Sequence, residues 1–115
     1  MGDRYDTIVG NAFEADWGKG YDVVLLPNFL HHFDRAGCMK ILHLARTALA
    51  PKGRVAIVEW VPNEDRVSPP VPALFVMTML LTTPSGTTYT GPEFSASSPR
   101  RNSSGPRSSR YCRRR

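Results

Sequence analysis

Two apolar runs of strand length, with an amphipathic helix between them, constrain this chain more than any other feature. "YDVVLLPN" is apolar from Val23 to Leu26 and stops at Pro27; "RVAIVEWV" is nearly so from Val55 to Val61. Runs that do not alternate suit strands buried on both faces, as in a parallel sheet. Between them, Asp34 offers an N-cap. Cys38, Ile41, Leu42, Ala45 and Leu49 then recur at spacings of three and four, with Lys40, His43 and Arg46 on the other side. Pro51 and Gly53 supply the stop signal. The middle of the chain therefore reads β–α–β with a right-handed crossover, an α/β fold class. A shorter strand in "DTIVGNAF" is expected before it, turning at Gly10-Asn11.

Charge divides the chain in two. The net charge is +5, yet residues 1–94 carry eight basic and ten acidic side chains, while residues 95–115 carry seven arginines and no acid. The basic tail, "SASSPRRNSSGPRSSRYCRRR", has no periodicity and no large aliphatic residue. It cannot bury enough apolar surface to offset its ordering entropy, so disorder is expected from Ser95 onward. Such a tail can bind polyanions, but it has no groove-reading motif, so no specific nucleic-acid partner is expected. Cys38 and Cys112 make neither a disulfide framework nor a metal-ligand spacing, and no metal is expected. The N-terminus lacks a secretory pattern, and the apolar run Val71–Leu81 is too short to cross a bilayer. No membrane partner is expected, and the expected setting is cytoplasmic.

Ser68, Pro69 and Pro70 announce another helix. Its run from Leu74 to Leu81 is apolar nearly all round. Two readings stay open: a helix buried in a core or subunit interface, or a wall of a substrate pocket with Met77 and Met79 as adaptable contacts.

Ligands of open α/β sheets sit beyond the carboxyl ends of the strands. Those ends carry Gly10–Phe13, Asn28–His32 and Glu59. Neighbouring parallel strands lie roughly 4.8 Å apart, which would bring the His31 region and Glu59 towards one crevice. A histidine oriented by a carboxylate is a recurring general base. On spacing alone a structural histidine and a solvated glutamate are the commoner reading.

"GNAF", "DVVLLPNFLHHFDRAGCMKILHLARTALAPKGRVAIVEWVPNEDRVSPP" and "TTPSGTTYTGPEF" together resemble the S-adenosylmethionine-dependent O-methyltransferases of the class I, Rossmann-like fold. The subgroup is the small-molecule type that includes acetylserotonin and hydroxyneurosporene methyltransferase-like proteins. The resemblance covers residues 4–94, a partial catalytic domain, followed by the tail at 95–115. It implies methyl transfer from S-adenosylmethionine to a small-molecule hydroxyl. By position, it makes His31 the base and Glu59 its orienting carboxylate. It puts Asn11, Ala12 and Phe13 at the adenine, with Asn28 also among the cofactor-binding positions. His32 falls where relatives often have aspartate, and a second family acid falls near Thr88. Full-length relatives are expected to be homodimers.

The chain also departs from the family. The Gly-rich loop and the ribose-binding acid are missing from these 115 residues. The sequence is expected to begin before the third strand of a 3-2-1-4-5-7-6 sheet and to be a C-terminal fragment, inactive by itself. The alternative is a catalytically dead interaction remnant with a polyanion-binding tail. The tail reads as a frameshift product, since restoring one base before Ser95 permits a helix-like sequence.

Overall fold

The structure is a computed structural model and describes residues 6–97. Its centre is a parallel pair, β1 (Tyr21–Pro27) and β2 (Leu49–Val58), joined by α1 (Arg35–Ala48). From Val23↔Arg54 to Pro27↔Val58 the register is regular, and it slips between Tyr21 and Val23. This is the expected β–α–β unit. Asp34 caps α1 as expected: its carboxylate accepts the Gly37 N–H at 2.8 Å. Cys38, Ile41, Leu42, Ala45 and Ala48 form the buried face, which packs with Leu26 and Leu30. Phe13, Phe29 and Phe33 close over this cluster with edge-to-face ring contacts of 5.0 and 5.1 Å.

β2 begins six residues earlier than the apolar pattern suggests. α1 ends at Ala48 because the residue before a proline avoids helical geometry, and Ala50 precedes Pro51. The chain then turns directly into the sheet. Gly53 is needed there: a Cβ would sit 2.6 Å from the Tyr21 carbonyl oxygen.

Residues 6–9 form no strand, contrary to expectation. A strand exists through its ladder, and among the described residues this segment has no neighbour to pair with; Val9 is 98% exposed. α2 (Pro70–Thr82) starts at the prolines as read, but only Pro72 and Met79 are buried in it. Val71, Leu74, Met77, Leu80 and Leu81 are exposed, so within the described residues α2 is not a core helix.

α3 (Gly91–Ser97) corrects the expected onset of disorder, because Ser95–Ser97 are helical. Thr90 and Glu93 form a capping box: the Glu93 carboxylate accepts the Thr90 N–H at 2.7 Å and its hydroxyl at 3.0 Å. Residues 98–115, on which the rest of the tail reading falls, lie outside the described residues. Among the described residues no helix is long and apolar enough to cross a membrane.

Candidate active site

The site is assembled where β1 and β2 end. Asn28 follows Pro27 in left-handed geometry (φ 48°) and donates its N–H to the Val58 carbonyl at 2.7 Å. Asparagine tolerates this conformation better than most residues. The strand breaks there, and the chain enters a 3₁₀ turn, Leu30–His32.

One residue past Val58, Glu59 reaches across to that turn. Its Oε1 accepts the N–H groups of Phe29 (2.8 Å) and Leu30 (2.7 Å), so it caps the turn. Its Oε2 lies 2.5 Å from His31 Nδ1. The two side chains are 2% and 6% exposed. An ionised carboxylate only accepts, so Nδ1 carries the hydrogen and the Nε2 lone pair is free. Nε2 has no polar partner, and it is not sealed: among the described residues, the buried side-chain nitrogen or oxygen left without a partner is Thr88 Oγ1. The His31 ring meets His32 at 4.4 Å and, edge to face, Phe75 of α2 at 4.9 Å; Trp60 lies 6.1 Å from Phe75.

A strap, residues 86–90, clamps the turn from the other side. Thr87 N–H donates to the His31 carbonyl at 2.9 Å, and the Tyr89 hydroxyl donates to the Phe33 carbonyl at 2.8 Å. Gly86 must lack a side chain, because a Cβ would lie 2.5 Å from the His31 oxygen. Burial pushes the Tyr89 phenol well above its ordinary range, and the adjacent Cys38 adds to this. Burial likewise raises the Cys38 thiol, which points its hydrogen at the Leu30 carbonyl. Arg66 ties the strap to the loop before α2, donating to Glu93 Oε1 at 2.6 Å and, at 3.5 Å, to the Thr88 carbonyl.

The residues expected at the adenine form a separate turn. Asn11 Oδ1 accepts the Phe13 N–H at 3.0 Å, and its carbonyl accepts from Glu14 and Ala15. Trp17 Nε1 donates to the Ala12 carbonyl at 2.8 Å. Ala12 and Trp17 line a largely apolar cavity of about 530 Å³ against β1, with Tyr21, Leu25 and Phe29 opposite. Of the residues expected at the adenine, Ala12 lines this cavity, whereas Asn11 and Phe13 do not, and Phe13 packs against the core cluster. Asn28 is exposed and, though between the lining residues Pro27 and Phe29, does not itself line the cavity; its N–H bridges the strand ends.

Of the strap, the sequence reading marks the Thr88 region alone, through the resemblance. Thr90-x-x-Glu93 was a readable capping signal, but nothing local marks Thr87 or Tyr89 as partners of the turn.

Residues 3–98 match the O-methyltransferase domain family, and the chain belongs to that family. Over 94 residues it is 37% identical to 3-hydroxy-5-methyl-1-naphthoate 3-O-methyltransferase of Streptomyces sahachiroi, covering 82% of this chain and 27% of that enzyme. A crystal structure from Nostoc punctiforme, assigned to the O-methyltransferases, superposes with a TM-score of 0.80 at 52% identity, covering 82% of this chain and 29% of that one. PigF, solved with S-adenosylhomocysteine, gives 0.75 at 29% identity, over 84% of this chain and 32% of its own. The chain thus spans about a third or less of each relative. The family's methyl donor is S-adenosylmethionine, of which that bound product is the demethylated form.

Proposed function

We propose that this segment supplies the general base, and the adenine side of the cofactor site, for O-methylation of a flat small-molecule hydroxyl. One observation carries the reading: His31 is held at Nδ1 by a buried carboxylate while Nε2 stays unpartnered and open. Bound S-adenosylmethionine would supply an electrophilic methyl group, with the adenine against Ala12 and beside Asn11 and Phe13.

The residues do the rest. Glu59 fixes the tautomer, so the Nε2 lone pair faces the acceptor hydroxyl. His31 takes the hydroxyl proton as the oxygen attacks, and the imidazolium formed lies against the Glu59 carboxylate. Phe75 lies edge to face against the imidazole and Trp60 lies beyond Phe75, rings that suit a planar acceptor; the Streptomyces sahachiroi relative is named for a hydroxynaphthoate.

A chimera tests this. Residues 6–97 replace the matching part of the Streptomyces sahachiroi enzyme, which is assayed with S-adenosylmethionine and 3-hydroxy-5-methyl-1-naphthoate. His31→Ala should slow methyl transfer by about 10²–10⁴-fold with little change in cofactor affinity. An active chimera whose rate survives His31→Ala would remove His31 from the role of base.

A further inference from the structure

The proton that His31 accepts must leave before the next turnover, and the surroundings of the ring restrict its exit. On the Nδ1 side stands Glu59, itself 2% exposed, with Oε1 taken by two backbone N–H groups and Oε2 by His31. That carboxylate stabilises the imidazolium but has no open path to water. Phe75 covers another side with a ring that cannot carry a proton. The strap contributes a backbone N–H to the His31 carbonyl, and the buried Thr88 hydroxyl has no partner through which to pass one on. With a product seated at Nε2, direct access of bulk water to that nitrogen is also closed.

His32 remains. Its ring is in contact with that of His31, 4.4 Å between centroids and tilted by 53°, and it is exposed where His31 is buried. It is the neighbour in the 3₁₀ turn that both touches the base and meets solvent. Imidazole is also the side chain whose unperturbed titration lies nearest neutral pH, so it can accept and release a proton without a large penalty either way.

We propose that His32 is a proton-relay residue, carrying the proton from His31 Nε2 to bulk solvent through one bridging water, since the two rings touch without a hydrogen bond between them. This rests on His31 being the base. The step balances: the acceptor O–H proton moves to His31 Nε2 as the methyl–oxygen bond forms. It then passes through the bridging water to a ring nitrogen of His32 and on to solvent or buffer, which returns His31 to its neutral Nδ1–H form.

The test uses the active chimera, labelled with ¹⁵N-histidine and saturated with the methylated product so that Nε2 is covered, in dilute non-imidazole buffer. NMR lineshapes and relaxation at the midpoint of the His31 titration give the rate at which His31 exchanges its proton. His32→Gln keeps a polar, exposed side chain that cannot carry a proton. It should slow that exchange by at least about 10²-fold, the low side of what a positioned proton-transfer group contributes. Free imidazole should restore the rate in His32→Gln and accelerate the unaltered chimera little. Unchanged exchange in His32→Gln, or strong acceleration of the unaltered chimera by imidazole, overturns the relay. The parent reading fails differently: neutral His31 carrying its hydrogen on Nε2 would sink the base assignment whatever His32 does. The resonances of His43, exposed on α1, report that the variant is folded.

Discussion

The turn around His31 and helix α2 are neighbours with opposite characters. The turn is polar at its centre yet buried, and each backbone group that matters has a named partner: two N–H groups on Glu59, one carbonyl on Thr87, another on Tyr89. α2 is apolar almost throughout yet exposed along most of its length, with Leu81 83% accessible. Apolar composition did not decide burial here, and polar composition did not decide exposure. What separates the two is partners: a buried polar group is tolerated when hydrogen-bonded, and an apolar face is buried only where something packs on it.

Glu59 offers the sharpest way to break the comparison. In Glu59→Gln the amide oxygen can still accept from Phe29 and Leu30, so the turn should persist. The amide N–H₂ then faces Nδ1, which must become bare, and the hydrogen moves to Nε2, where it blocks the base. In the chimera the rate should fall by about 10²–10⁴-fold, with far-UV circular dichroism unchanged. A Gln variant with an unaltered rate and pH profile would take Glu59 out of the site.

Core truncation should come next. Ile41→Ala empties a fully buried position of α1 and should cost about 2–5 kcal/mol in denaturant unfolding. A loss below the lower bound would mean that the α1–sheet contact is looser than its burial implies.

A smaller effect follows from Glu93. Burial pulls its carboxyl up, but the bonds from Thr90 and Arg66 outweigh this and leave it lowered. A lowered carboxylate stabilises above its ordinary value near 4.5 and loses that contribution as the pH falls through the lowered one. The protection factor of the Thr90 amide should therefore fall below that range in the unaltered chain. In Glu93→Ala, which removes the acceptor, it should be low already at neutral pH; equal protection in both would detach the capping box from the strap.

The smallest change is expected on α2. Leu81→Ser alters a side chain with little packed against it, so unfolding of the 115-residue chain should shift by no more than about 0.5 kcal/mol. A loss as large as that of Ile41→Ala would show that α2 is covered in solution and would erase the contrast drawn here.

Much of the local structure was legible in the residues themselves. The apolar runs gave β1 and the apolar stretch of β2, the three-and-four spacing gave the buried face of α1, and Asp34 gave its cap. Each depends on interactions within a few residues, so the order along the chain contains the information. The β–α–β reading even brought His31 and Glu59 to one crevice, because parallel neighbours end side by side.

The tertiary structure alone decided the rest. Which carboxylate oxygen meets Nδ1, and that the same carboxylate caps the turn, depends on contacts between residues 28 to 30 apart. The Tyr89 bond to the Phe33 carbonyl spans 56. The early start of β2, the unpaired segment 6–9 and the exposed face of α2 are likewise set by which neighbours each element finds. Periodicity states which face of an element can be buried; only the packed chain supplies the surface that buries it, and backbone groups without a local partner are satisfied by whatever that packing brings within reach.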